Sequence, residues 1–256
     1  MGLLNQVSKA MPTFAMSRLL KPWQRTVMGP YLRAKIPELL FRPTYDVLSE
    51  ITDDQDLIAV LAGQWGDLGL PPRKSSFVVH ALIARHYLYG GFYPIGGSWK
   101  IAESIIPRIK RAGGEVFTYA LVKKILVEDG KVEGVEMADG HVIECPCVIS
   151  SAGVHNTFEH LLDTDVTHQS GYESNLASVK PSISHLGVYI GLKATAEELG
   201  LPRTNFWIYS DNDYDGAVDK FLNKPDAPFP AVYISFPSAK DPDYLNRRPG
   251  TATIEI

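Results

Sequence analysis

Cysteine is nearly absent from this 256-residue chain: Cys145 and Cys147 stand in one Cys-Pro-Cys run. The run is neither a CxxC pair nor half of a four-ligand set, which argues against a disulfide framework and a structural zinc site. The two residues read as small apolar side chains at a strand start, in a reducing compartment. No apolar run reaches the roughly 18 residues that a membrane-spanning helix needs, and the start lacks the apolar core of a signal peptide. An excess of positive charge is also missing: the net charge is −4, so nothing global points to a nucleic-acid partner. No Ser-His-Asp order, zinc spacing or paired-carboxylate site stands out, and no metal is expected. Asp211, Asp213 and Asp215 alternate as in a calcium loop, but the glycine and the distal Glu fall in the wrong places. What remains is ordinary for a globular protein: 45% apolar and 21% charged residues, enough for a sizeable core.

The charge is unevenly placed. Residues 1–43 hold Lys9, Arg18, Lys21, Arg25, Arg33, Lys35 and Arg42 against Glu38 alone, seven minus one, or +6. A basic, apolar opening of this kind points to contact with a membrane surface.

Apolar spacing close to 3.6 predicts helices near residues 3–10, 15–28, 31–41, 44–51, 54–65 and 75–89, with Pro12, Pro22, Pro30, Pro37 and Pro43 as breaks. Thr52 or Asp53 is expected to cap the fifth and Ser75 or Ser76 the sixth. Ser98 opens a further helix to Ala112, whose Ile101, Ile105 and Ile109 predict one buried face. The period then drops to 2. Strands are expected at 115–119, 121–128, 131–137, 141–144 and 146–151. Asp129-Gly130 and Asp139-Gly140 form the turns of a meander. The run from Cys147 to Ser151 reads as a buried parallel strand. Beyond it come a helix near 154–162, strands at 183–192, 204–210, 229–236 and 251–256, and a helix near 214–222. The last of these strands has no following element, so the chain is expected to be a truncated piece.

The sixth helix is apolar nearly all round, as in a helix that is buried or lines an apolar cavity. Phe77, His80, Ala84 and Tyr87 form one stripe on it, with Tyr93 just beyond. His80 and Tyr87 are the candidate proton donors. His80 and His86 lie about 240° apart around a helix and cannot share a metal.

Several runs carry a resemblance to a known family. Trp65-Gly66-Asp67-Leu68-Gly69, His86-Tyr87-Leu88-Tyr89-Gly90-Gly91-Phe92-Tyr93-Pro94, Gly96-Gly97-Ser98, Ser151-Ala152-Gly153 and Phe236-Pro237-Ser238-Ala239-Lys240-Asp241-Pro242 are among them. Over roughly residues 60–245 the chain resembles the retinol-reductase branch of the FAD-dependent phytoene desaturase and carotenoid isomerase family. The resemblance implies an α/β fold: part of a Rossmann-like FAD-binding flavoprotein with an α+β substrate region. It implies a division into a helical, membrane-facing region (1–92), part of the FAD-binding domain (93–165) and a substrate-domain sheet (166–256). It implies FAD as cofactor, with NAD(P) as a candidate electron source. The substrate would be a retinoid- or carotenoid-like isoprenoid, reached through an apolar tunnel lined by the Phe77–Tyr87 stripe and Tyr93. The work would be peripheral to a membrane, on the cytoplasmic side or at the endoplasmic reticulum in a eukaryote. Gly96 and Gly97 match the turn where substrate and cofactor regions join. Val122 matches the residue whose backbone meets the adenine, and Ala152 and Gly153 the stretch passing the cofactor. Alternatives are a desaturase, a redox-neutral carotenoid isomerase, and a catalytically inactive binding module. One departure stands out: the family's strand–GxGxxG–helix is nowhere in these residues.

Overall fold

The computed structural model describes residues 1–172, 177–178, 184–224 and 226–256. They divide into two compact units, Met1–Ile101 with Ser182–Ile256, and Ala102–Pro181. The division falls near residue 101 rather than 92, and the first and last parts of the chain share one unit.

In the larger unit, α1 (Gly2–Leu19), α2 (Pro22–Ala34), α3 (Thr44–Ser49), α4 (Gln55–Ala62) and α5 (Phe77–Tyr87) follow one another, with single 3-10 turns at Glu38–Phe41 and Trp65–Leu68. Three of the five expected breaks are real: Pro22 opens α2, Pro37 precedes the first 3-10 turn and Pro43 precedes α3. Pro12 and Pro30 are not breaks but lie inside α1 and α2. A proline removes one helical hydrogen bond, yet its fixed φ is helical. In α1 the loss is offset because Val7 and Ala10 are buried before Pro12, and Met11 and Phe14 pack on the same core around it. The cap of α4 is Asp54, one residue later than expected. Its carboxylate accepts the N–H groups of Asp56 (3.0 Å) and Leu57 (3.1 Å), while Thr52 Oγ1 accepts the N–H of Asp54. Ser76 does precede α5, without a side-chain cap bond. Its neighbour Ser75 is buried with Thr44, the hydroxyls 3.0 Å apart, which joins the starts of α3 and α5.

The core of this unit is built on Val7, Leu40, Val47, Ile58, Trp65 and Phe77. Tyrosines from far along the chain close it. Tyr214 donates to the carbonyl of Ala59 (3.0 Å), and Tyr209 donates to that of Gly63, at the end of α4. The unit's strands are β4 (Tyr189–Leu192), β5 (Phe206–Tyr209), β6 (Ala231–Ile234) and β7 (Ala252–Glu255). β4 pairs antiparallel with β7 and β5 with β6; the Ser235–Glu255 bridge, bonded at 2.8 and 2.9 Å, joins the two pairs end to end. Between them lie α8 (Tyr214–Asn223), α9 (Pro237–Lys240) and α10 (Tyr244–Arg247). The strand expected at 183–192 forms only over Tyr189–Leu192, and residue 183 at its expected start lies outside the described residues.

A helix, α6 (Trp99–Arg111), runs across the division. Pro107 lies within it as expected, but the apolar face is not buried: Ile101 and Ile105 are more than half exposed. A helical period sets which residues share a face and leaves open what covers it.

The smaller unit holds the expected meander. β1 (Val122–Glu128), β2 (Lys131–Met137) and β3 (Val142–Glu144) pair antiparallel in that order. Asp129 and Gly130 both adopt positive φ, 49° and 73°, as a two-residue hairpin turn requires. The π-helical turn Asn156–Leu161 occupies the site of the expected helix, and α7 (Thr164–Ser170) follows. The strands expected at 115–119 and 146–151 do not form. Every strand pairing among the described residues is antiparallel, so the parallel strand at 147–151 is a misreading. An apolar run becomes a strand only when a neighbouring strand pairs with it, and among the described residues none does; Ile149 stands almost fully exposed.

Candidate functional site

The chain from Pro94 to Trp99 makes a tight turn into α6. Gly96 and Gly97 are buried there with φ of 93° and 97°, values that favour glycine. A Cβ on Gly97 would stand 3.3 Å from Trp99 Cδ1 and 3.6 Å from an Arg247 nitrogen, so the position is closed on both counts. Trp99 Nε1 donates to the Gly96 carbonyl at 2.7 Å, and the Gly97 N–H donates to Pro94 at 3.0 Å.

The other half of this knot lies 145 residues away. Asp241 is buried, and Oδ1 accepts the N–H groups of Gly96 (2.9 Å) and Asp243 (3.0 Å), while Oδ2 accepts the Arg247 guanidinium. Burial pushes its carboxyl up, but those two N–H groups and Arg247 outweigh it, and the net is below the usual aspartate value. The segment carrying Asp241 is itself pinned. Phe236 packs edge-on against Phe206, and Ser238 Oγ accepts the Thr253 N–H of β7 at 3.0 Å. Lys240 donates to Ser235 Oγ (2.7 Å) and to Asn205, and its ammonium stands 5.9 Å from the centre of the Tyr93 ring. Burial pulls Lys240 below the usual lysine value and pushes Tyr93 above the usual tyrosine value. The result is a glycine turn clamped by a buried carboxylate, bordered by an arginine, a lysine and a tyrosine. Such a set holds a backbone turn rigid and offers hydrogen-bond donors beside it.

Of the sequence-derived site residues, Gly96, Gly97 and Tyr93 meet at this knot. Nothing in the residue pattern assigns Asp241, Lys240 or Arg247 a role. Asp241 and Lys240 lie in a run that carried the family resemblance, which was the available signal. Val122 opens β1 half-buried, and Ala152 and Gly153 are exposed ahead of the π-helical turn, with φ of 95° at Gly153; all three belong to the smaller unit. Asp213 caps α8, accepting the Gly216 N–H at 3.1 Å, and Asp215 is buried against the Arg73 N–H at 3.1 Å, so these two have structural tasks. Among the described residues no three His, Cys, Asp or Glu side chains gather as a metal site.

The α5 stripe runs from core to solvent: Phe77 and His80 are buried, Ala84 is intermediate and Tyr87 is nearly half exposed. Phe77 is part of the core itself and contacts the His80 ring, centroids 5.7 Å apart. The Tyr87 hydroxyl donates to Asp67 Oδ2 at 2.8 Å; burial, then Asp67, pushes it up to about 12, so it keeps its proton through the neutral range. Burial pulls the His80 imidazole below its ordinary 6.5. The folded state therefore resists protonating His80, and this contributes a stability that is present above the unfolded value and lost as pH falls below about 6.5 toward the folded value. Thermal melts should drop between pH 7.5 and 5.5, and His80→Leu should flatten that slope. An unchanged slope in the variant would assign the pH dependence to other groups.

The fold is shared with part of an oxidoreductase from Methanosarcina mazei, at a TM-score of 0.56 and 19% identity, over 93% of this chain and 52% of that one. By fold, then, the chain is a mixed helix-and-strand protein with a solved counterpart among oxidoreductases. By sequence it is a relative of the all-trans-retinol 13,14-reductases. It is 40% identical to the all-trans-retinol 13,14-reductase of Macaca fascicularis over 237 residues, which is 90% of this chain and 38% of that protein. The zeta-carotene-forming phytoene desaturase of Myxococcus xanthus matches more weakly, at 27% over 219 residues, 85% of this chain and 41% of that protein. The chain thus spans well under half the length of these relatives. No family model matches it.

Proposed function

We propose that these residues belong to an oxidoreductase that adds hydrogen across a carbon–carbon double bond of a retinoid-like isoprenoid. The observation that carries this reading is the 40% identity to a retinol 13,14-reductase across nine tenths of the chain. In this family reading a bound flavin supplies the hydride chemistry. The residues present do not fit a complete FAD site, because no glycine-rich pyrophosphate cradle occurs among them. Their part is to surround the lipid and hold the Gly96–Gly97 turn that would border it. Tyr93 leads into that turn and Lys240 stands 5.9 Å from its ring centre, so these two, rather than His80, which is sealed in the core, are the candidate proton sources of this reading. Nothing observed supports NAD(P) as the electron source. The weaker desaturase match leaves dehydrogenation and isomerisation as second readings.

The test is an exchange. This chain replaces the matching 237-residue stretch of the Macaca reductase, and the chimera is given all-trans-retinol. Product with two added hydrogens supports the proposal. A soluble, flavin-bound chimera that yields product of unchanged mass, or none, overturns it.

The same reading places residues 1–43 at a membrane surface. No helix among the described residues is long and apolar enough to cross a membrane. Leu19, Trp23, Val27 and Tyr31 nevertheless stand more than half exposed on α1 and α2, next to the local +6. Sedimentation with anionic vesicles should exceed that with neutral ones, and the excess should shrink with salt, since the screening length is about 10 Å at 0.1 M. Equal sedimentation with both would count against it.

A further inference from the structure

We infer that the concavity between α1 and α2 is a specific site for the phosphate of an anionic phospholipid. This rests on the membrane-surface reading of residues 1–43 and adds to it a stereochemical pocket. The concavity has a volume of about 360 Å³ and is walled by Arg18, Arg25, Arg33, Phe14, Ile36 and Phe41.

The placement follows from helix geometry. Arg25, Gly29 and Arg33 are spaced by four along α2 and share one face. Gly29, lining the concavity between the two arginines, carries no side chain, so the space between the guanidinium stems stays open. Its backbone is ordinary, and an added Cβ would meet only Arg25 Cγ at 3.7 Å, so backbone strain does not account for the glycine. Arg18 of α1 supplies the third charge, its guanidinium 5.3 Å from the centre of the Phe14 ring.

Among the described residues these charges have no carboxylate partner. Residues 1–37 contain no Asp or Glu. Arg25 reaches only the carbonyls of Arg18 and Leu20, both at 3.5 Å. Arg42 shows the contrast: it meets Glu50 through both its terminal nitrogens. Three guanidinium groups lining one concavity with no carboxylate among the described residues repel one another until an anion enters. The planar fork of each matches the several oxygens of a phosphate. The other walls decide the source. Phe14, Ile36 and Phe41 are of no use to a free phosphate but accommodate the apolar shoulder of a lipid. Leu19 and Trp23, exposed at the α1–α2 corner, continue that apolar surface outward.

The test uses the full chain and monomeric dihexanoyl phosphatidic acid in calorimetry, with inorganic phosphate as a second ligand. Removing charge-assisted bonds in Arg25→Ala/Arg33→Ala should weaken phosphatidic acid binding by about tenfold or more. Gly29→Leu, which fills the space and keeps every charge, should do the same. Lys9→Ala/Lys35→Ala removes equal charge away from the concavity, Lys35 standing over the Tyr31 ring, and should change binding by less than about threefold. Inorganic phosphate should bind about tenfold more weakly than the lipid. Equal losses in the arginine and lysine pairs would overturn the site in favour of diffuse charge, and so would normal binding by a folded Gly29→Leu. Equal affinity for inorganic phosphate would overturn the lipid assignment. Anionic vesicles that fail to bind the unaltered chain would instead sink the membrane-surface reading, which separates the two failures.

Discussion

Asp241→Ala should unfold the larger unit at markedly lower temperature, with a stability loss of about 3 kcal/mol. The carboxylate is buried and serves three donors from two parts of the chain: the Gly96 and Asp243 N–H groups and the Arg247 guanidinium. Alanine leaves the Gly96 N–H buried without an acceptor and leaves Arg247 with Asp243 alone, at 3.3 Å from Nε to Oδ2. Asp241→Asn keeps Oδ1 as the acceptor of both N–H groups but loses the charge and turns an amide NH2 toward Arg247, so its loss should be smaller. Arg247→Met leaves both N–H bonds in place and should be milder than alanine at 241. Denaturant unfolding of the three variants checks the order. A loss within about 0.5 kcal/mol for Asp241→Ala would show that the turn is held by something else. In the reductase chimera, the same substitution should depress turnover more than solubility, because it loosens the turn proposed to border the lipid.

The second large effect concerns the cofactor. The 256-residue chain by itself should purify with no flavin absorbance band. A dinucleotide's pyrophosphate rests on free N–H groups at the start of a helix, after a glycine turn. Among the described residues the one glycine turn that leads into a long helix is Gly96–Gly97 before α6, and its N–H groups are spent. Gly96 donates to Asp241 and Gly97 to Pro94. The ionised Asp241 carboxylate also fills the position an anion would take and would repel a phosphate there. A chain that came off the column with stoichiometric FAD would overturn this, and would demand a phosphate site away from residues 90–98.

Some of this was legible in the residues. The meander was legible because Asp129-Gly130 and Asp139-Gly140 encode their turns locally: the positive φ of Asp129, Gly130 and Gly140 is a property of those residues and their immediate strands. The helices of the first 90 residues were legible by period, but their ends were not. Pro12 and Pro30 break nothing, because packing on a common core offsets one lost bond in α1. The capping of α4 shifted from Asp53 to Asp54 because both can accept the same bonds and only the chain's path chooses. For the candidate site, Gly96, Gly97 and Tyr93 were legible as a motif, and Asp241 was legible as part of another. That the two motifs meet was not, since 145 residues separate the Gly96 N–H from its acceptor. His80 was read as a candidate proton source on a cavity-lining stripe, and the fold buries it beside Phe77.

The sequence by itself determined what is local or additive: the turns, the helical periods, the basic opening and the absence of a GxGxxG. It also determined the relationship, since identity to a retinol reductase is a property of residue order alone. Tertiary structure decided everything that needs a neighbour. The apolar run at 147–151 is no strand, because no described strand pairs with it. The α6 stripe of isoleucines stays exposed, because a face is buried only when something covers it. Asp241 became the clamp of a glycine turn, and three arginines came to line one concavity, because folding brought together groups whose spacing along the chain carries no sign that they meet.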